Sequence, residues 1–417
     1  MKILHLSTTD IQGGAARGAF WLHKALQQQG VESIMFVDRK YSDDDTVLTE
    51  SGAIARTGSR IRSRLDRMPL ARYDVTQDSF WSIGWVPHPI EHVVRRINPD
   101  IVHLHWVGDG FMPISTLSRL DYPIVWTLRD MWSFTGGCHY TAGCDRYRLG
   151  CGACPQLRSD DPMDLSARVW QRKRRAWRDA DLWLVPISDW LAQCARESTL
   201  FDSHPIEVIP NGVDTNRFRA HDAAVGRAHW DLPQDKRLIL FGGIDPLRDP
   251  RKGFAELVAA LKLLAADGWA DRAMLVVFGA TAEGAPPDCG IPARFVGHVS
   301  DDDDLARLCA AADVMATPSI QEAFGKTLIE AMACATPVVA FNTGGPTDIV
   351  DHGSNGYLAT PGDIADFAAG LAWCLTDERR RESLAERARA TAERQFDISV
   401  VASRYRALYA RILARLP

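Results

Sequence analysis

Short apolar runs closed by glycine or polar residues recur along this chain, and most are followed by a longer stretch whose apolar positions return at helical spacing. KILHLST reads as a buried strand, IQGGAARG as a glycine-bearing turn, AFWLHKALQQQG as a helix ending at Gly30, and ESIMFVDR as a second strand. That is one strand–helix–strand unit. PDIVHLHWV, YPIVWTLRDM and ADLWLVPIS repeat the signal without polar alternation, as strands buried on both faces of a parallel sheet do. Residues 42–90 are polar, arginine-rich and weakly periodic, so no element is assigned to them.

A second series starts near residue 206 with IEVIPNGV and continues through KRLILFGGI, GFAELVAALKLLAADG, AMLVVFGA, ARFVGHV, DDLARLCAAA, DVMATPS, TLIEAMAC and TPVVAFN. The fold class expected is α/β, with two Rossmann-like doubly wound parallel-sheet domains facing each other across a cleft. The first covers residues 1–205 and the second 206–395. The terminal stretch 396–417 has helical spacing at Val400, Tyr405, Leu408, Ile412 and Leu416 and is expected to pack back on the first domain.

Length and composition agree with two soluble domains: 417 residues, 46% hydrophobic, 24% charged, net charge -5. No nucleic-acid partner is implied. The charge is uneven, with 25 basic and 24 acidic side chains up to residue 205 against 23 and 29 beyond it. Arginine concentrates in residues 56–72 and 168–179, which suit either a phosphate or anionic bilayer face or simply solvated helix faces. MKILHLSTTD is too short in its apolar part for a signal peptide, and no run approaches spanning length. The expectation is a cytoplasmic protein, at most peripheral on the inner face of the membrane. Nine cysteines there fit thiols or metal ligands better than disulfides.

Four stretches carry candidate chemistry. Gly13, Gly14 and Gly18 lie between a strand and a helix, with Asp38 closing the next strand, but GGAARG lacks the G-x-G-x-x-G spacing of a dinucleotide site. Amides at this turn are better suited to an anionic group. In GGIDPLRDPRKGF, Gly242 and Gly243 end a strand, and Arg248, Arg251 and Lys252 precede a helix, a pattern suited to a pyrophosphate. In QEAFGKTLIEAMA, Glu322 sits in the loop at the sheet's carboxyl edge, Ala323 to Thr327 open a helix, and Glu330 lies inside it. Glu330 can accept from paired hydroxyls such as a ribose, while Glu322 can hold a sugar hydroxyl or balance an oxocarbenium. In CHYTAGCDRYRLGCGACP the thiols of Cys138, Cys144, Cys151 and Cys154 suit structural zinc, with His139 able to replace one ligand; buried free thiols and redox chemistry are the other readings. His103 and His105 alternate along a strand and are expected to face opposite sides, each as a core histidine, with His105 the nearer to the cleft.

GGAAR, VIPNGVDTNRF, RKGF, the E-x7-E segment from Glu322 to Glu330, and PVVAFNTGG followed by NGYL occur in the order found in the GT-B glycosyltransferases of family 4, which this sequence resembles over nearly its whole length. The resemblance implies a retaining, metal-independent hexosyltransferase that draws on a nucleoside-diphosphate sugar. The acceptor implied is a saccharide, lipid-linked, in bacterial-type exopolysaccharide or lipopolysaccharide synthesis. The alternative is a catalytically weakened nucleotide-sugar-binding subunit. It further implies that Lys252 and Arg248 bind the donor pyrophosphate, that Glu330 holds the ribose, and that Glu322 with Phe324, Gly325, Lys326 and Thr327 positions the sugar and diphosphate. Gly13 and Gly14 would face the diphosphate from the first domain, and His298 would lie by the base. The family's T-x-H-D pattern departs here to WTLRDMW, so Arg129 stands at the histidine position beside Asp130, and both are candidate catalytic residues. Since the departing phosphate oxygen is thought to take the acceptor proton in such enzymes, loss of the histidine is compatible with transfer. Ala335 stands where the family has glycine, a change read as packing. A related set of polysaccharide-building transferases shares TGGCHY and CGxCP, which implies a structural role for the cysteines.

Overall fold

The computed structural model describes residues 1–50, 52–76, 80–281 and 287–415. It divides into two compact units, Met1–Pro210 with Val401–Pro417, and Asn211–Val400. In the first, β1 (Lys2–Thr9), β2 (Glu32–Arg39), β3 (Val47–Thr49), β4 (Ile101–Leu104), β5 (Ile124–Leu128) and β6 (Leu182–Pro186) form a parallel sheet ordered β3-β2-β1-β4-β5-β6. In the second, β7 (Arg237–Gly242), β8 (Ala273–Phe278), β9 (Ala293–Gly297), β10 (Val314–Thr317), β11 (Val338–Phe341) and β12 (Gly356–Ala359) are parallel in the order β12-β11-β10-β7-β8-β9. Both sheets are doubly wound, and each reverses direction beside its first strand. Loops leaving the first and fourth strands therefore flank a crevice at the carboxyl edge. The strands are apolar throughout because helices cover both faces; Ile239, Phe241, Leu261, Leu275, Val339 and Phe367 sit in one continuous core in the second unit.

Three sequence expectations change. The stretch 42–90 does contain structure, namely β3 and the helix Ala53–Arg67 with a 3-10 turn Met68–Arg72 behind it. Among its described side chains that helix buries Ser59, Ser63 and Asp66, so the stripe they form is polar. Asp66, fully buried, accepts the main-chain N–H groups of Ile83 (2.9 Å) and Gly84 (2.7 Å). IEVIPNGV forms no strand of its own: Ile206 bridges Leu184 and Val213 bridges Asp397 singly. The terminal helix Ile398–Leu413 buries Val401, Tyr405, Leu408, Tyr409 and Ile412, whereas Val400 is exposed and Leu416 lies outside the described residues. Its tyrosines reach the first sheet, Tyr405 Oη to Thr127 Oγ1 and Tyr409 Oη to His103 Nδ1, each at 2.7 Å.

Ala335 follows the helix Lys326–Ala333 with φ of 60°, the left-handed region, so glycine at this position serves conformation and not packing. Ala335→Gly is expected to stabilise the second unit by about 0.5–1 kcal/mol, because relief of the left-handed penalty exceeds the added entropy of the unfolded chain. A denaturant midpoint at unchanged slope checks it; a lower midpoint contradicts it.

Candidate functional site

At the reversal of the second sheet, the loop after β7 carries Lys252 and the loop after β10 carries Glu322. The two side chains meet with Lys252 Nζ 2.5 Å from Glu322 Oε2. The loops are locked by close backbone approach. Ile320 donates its N–H to the Arg251 carbonyl at 2.8 Å, and a Cβ on Gly253 would stand 1.8 Å from the Pro318 carbonyl oxygen. The turn after β11 interlocks likewise. Gly345 donates to the Glu322 carbonyl at 2.9 Å, and a Cβ at this glycine would stand 2.2 Å from Phe324 Cα. Glycines of RKGF and NTGG are thus contact points that let three loops converge.

Glu322 has 14% of its side chain exposed. Burial raises its carboxyl, but Lys252, Arg251 and the N–H of Phe324 together outweigh burial and hold it below the usual range. Arg251 is turned to Asp249, with Nε at 3.0 Å and Nη2 at 2.5 Å, while Arg248 on the same loop is exposed. The helix starts at Lys326, one residue past a left-handed Gly325, and not at Ala323, because the Phe324 N–H is spent on Glu322. Lys326 pairs with the buried Glu330 four residues on, and Thr327 is half-buried on the same turn. The structure therefore brings together Lys252, Glu322 and Phe324, and separately Lys326 and Glu330. His298 follows β9 at the sheet's far edge, exposed and apart from that group.

In the first unit Gly13, with φ of 97°, precedes the helix Gly14–Gln28. Asp38 accepts from Ser59 and Arg62, which ties the end of β2 to the helix Ala53–Arg67. Arg129 and Asp130 directly follow β5 and line a small pocket with His105, Trp106, Trp132 and His139. Arg129 is 8% exposed, its Nη2 stands 3.2 Å from His105 Nδ1, and burial lowers it to about 10, still a cation at neutral pH. Asp130 accepts from Trp106 Nε1 (2.8 Å) and the Trp132 N–H (2.9 Å) and meets His139 Nδ1 at 2.7 Å. Burial would raise its carboxyl, and these partners, His139 foremost, lower it instead.

His139 is so committed to Asp130, with Ser82 Oγ 2.9 Å from its other nitrogen, that it does not join the cysteines as a ligand. Cys138, Cys144, Cys151 and Cys154 line one pocket, and all nine cysteines are free thiols. Among the described residues, the group of three ligating side chains with donor atoms within 4.8 Å of one another is His5, His103 and His105. His103 and His105 lie on one side, contrary to expectation, because positions two apart on a strand share a face; their ring centroids are 4.1 Å apart. The Arg129 cation beside His105, and the engagement of both His103 nitrogens by Thr127 and Tyr409, oppose a metal ion there.

Sequence reading missed His5, which pairs in register with His103 across β1 and β4, and the part played by His139 against Asp130. It also missed Lys173, wholly buried in the helix Leu165–Trp177 and pushed by burial down to about 7. Strand register could have revealed His5; nothing local marks Lys173 off from its arginine neighbours.

The family profile for Glycosyltransferase Family 4 matches residues 12–217, and that for Glycosyl transferases group 1 matches residues 227–391. The D-inositol 3-phosphate glycosyltransferase of Nocardioides sp. is 33% identical over 315 residues, 69% of this chain and 62% of its own. The protein of the same name from Xylanimonas cellulosilytica is 32% identical over 342 residues, covering 76% of this chain and 73% of its own. The chain thus spans under two thirds of the first relative and more of the second. The Anabaena protein HepE, solved in complex with UDP-glucose, superposes over 100% of both chains with a TM-score of 0.64 at 18% identity, a likeness of fold.

Proposed function

The chain belongs to the GT-B glycosyltransferases of family 4, and we propose that it moves a hexose from a nucleoside-diphosphate sugar to a saccharide acceptor with retention at the anomeric carbon. The observation that carries this reading is the Lys252–Glu322 pair at the sheet reversal, held by three interlocked glycine-bearing loops. Lys252, with the exposed Arg248, donates to diphosphate oxygens, and the amides of the turn at Lys326 and Thr327 add to the field that receives the leaving charge. Glu330 takes the ribose hydroxyls, exchanging part of its contact with Lys326. Glu322 faces the sugar as an ionised carboxylate. The bond from the anomeric carbon to the phosphate oxygen breaks, the acceptor oxygen bonds to that carbon on the same face, and the acceptor's proton passes to the departing phosphate oxygen.

The acceptor in this reading is a lipid-linked saccharide at the inner membrane face, in surface-polysaccharide synthesis. Support comes from the helix Ala53–Arg67, where Ile61 (52% exposed) stands among Arg60, Arg64 and Arg67, with Met68 (56%) just beyond. No helix among the described residues is long and apolar enough to cross a membrane, so contact would be at the surface. The buried Arg129 favours a second reading, an acceptor bearing a phosphate or carboxylate, and the relatives named for inositol 3-phosphate lean the same way. Thermal shift with UDP, GDP and dTDP sugars, followed by radiolabelled transfer to neutral and anionic acceptors, tests both. Normal turnover in Glu322→Ala and Lys252→Ala together would sink the reading.

A further inference from the structure

We propose that Cys138, Cys144, Cys151 and Cys154 bind one structural zinc ion in the pocket they line, with the buried Lys173 ammonium as its counter-charge. The pocket is roughly 20 Å³, the space of one ion or water and too small for an organic ligand. Four soft donors around so small a space select a tetrahedral d10 cation. The main chain is wound about them at a cost. Cys151 and Ala153 hold φ of 57° and 43°, the left-handed region that residues with a Cβ disfavour. Such winding persists when a strong bond at its centre holds it. Amides also point at the sulfurs, Gly136 at Cys151, and Gln156 and Leu157 at Cys154, as donors do around metal-bound thiolates.

Lys173 is the second, independent observation. Its Nζ is fully buried, donates to the carbonyls of Trp132 and Thr135 (3.0 Å to the latter), and lies 4.0 Å above the Trp132 ring. An ammonium among neutral carbonyls and rings is expensive. The groups whose negative charge would favour it are Cys138 and Cys151 first and the Asp130 carboxylate after them. Binding converts four thiols and Zn²⁺ into a tetrathiolate centre of charge −2 with release of four protons, and Lys173 then faces a net anion. No three of the four sulfurs lie mutually within 4.8 Å, whereas Zn–S bonds of about 2.3 Å bring sulfurs to about 3.8 Å. Closure of the four sulfurs onto the ion is therefore part of the proposal. The same loop delivers His139 to Asp130, so the ion would fix one wall of the Arg129 pocket.

The test uses the full chain, prepared under reducing, chelator-free conditions with zinc supplied. About one zinc per chain is expected, and cobalt(II) in its place should give the visible bands of a tetrahedral thiolate complex. Cys151→Ser with Cys154→Ser should lose both. If that variant fails to fold, Lys173→Met still tests the inference, since it should keep the cobalt bands while weakening zinc affinity by about 10–100-fold. Zinc near background in the wild-type chain with no cobalt bands, or recovery of the four residues as disulfides, overturns it. Unchanged zinc affinity in Lys173→Met removes the counter-charge.

Discussion

Lys252→Ala and Glu322→Gln should each reduce sugar transfer by about 10²–10³-fold, the loss typical when one preorganised group facing developing charge is removed. The two differ in where the loss falls. Lys252 supplies a charge-assisted hydrogen bond to the diphosphate, so its removal weakens nucleoside-diphosphate binding and transfer together. Glu322→Gln keeps the shape of the side chain and its acceptor for the Phe324 N–H, so nucleotide binding should stay within a few-fold of wild type while kcat falls. Stability separates the roles further. Lys252→Ala strands a carboxylate with only 14% of its side chain exposed, and breaking a buried pair costs about 3–5 kcal/mol, discounted here because Lys252 is 27% exposed. Lys252→Met with Glu322→Gln removes both charges and should recover stability but not activity. As for pH, the Glu322 carboxyl is held below the ordinary glutamate value of 4.5, so the pair's contribution is complete above that value and is lost as pH falls through the lower folded value. Calorimetry with UDP, GDP and dTDP, beside transfer rates, reads all of this. Wild-type nucleotide affinity in Lys252→Ala would remove it from the phosphate site.

What could be read in the chain and what could not follows from how far apart the partners lie. Buried parallel strands announce themselves locally, so KRLILFGGI and TPVVAFN become β7 and β11. Lys252 and Glu322 are each legible as ligand-facing residues, but their pairing emerges only when the loops after the first and fourth strands of the doubly wound sheet adjoin. The helix Ala53–Arg67 hid because the described groups it buries are polar: Ser59 and Ser63 donate to the carboxylates of Asp38 and Asp109, and Asp66 accepts from distant backbone N–H groups, instead of making apolar contact. Lys173 hid for the converse reason, as a cation buried in a run of arginines that reads as surface. Asp130 was visible beside Arg129, but its commitment to Trp106, Trp132 and His139 depends on how the cysteine loop folds back.

Acid should unfold the first unit well before the second. His5, His103 and His105 are at most 2% exposed, pack with ring centroids 4.1 to 5.1 Å apart, and share hydrogen bonds with Thr127, Tyr409 and Arg129. Burial first, and the Arg129 cation with neighbouring imidazoles next, push all three well below 6.5. His23 is lowered by burial to about 4. Above 6.5 these rings are neutral whether folded or unfolded and stability is complete; below it the unfolded chain binds protons that the folded one refuses. Each such group removes about 1.4 kcal/mol per pH unit, so the three together remove roughly 4 kcal/mol per unit, against a total domain stability of about 5–15 kcal/mol. The histidines of the second unit, His221, His229, His298 and His352, are half-buried or exposed, and among the described residues none of them sits in a buried cluster of this kind. Ten of the thirteen tryptophans precede residue 200, so tryptophan fluorescence in urea follows mainly the first unit. Its midpoint should drop steeply between about pH 7.5 and about pH 5.5 while far-ultraviolet dichroism retains a second, less pH-sensitive transition. His5→Gln, which preserves a hydrogen-bonding partner for His105, should shallow that dependence by about a third, and a midpoint indifferent to pH over this range would mean that the cluster takes up protons in the folded state.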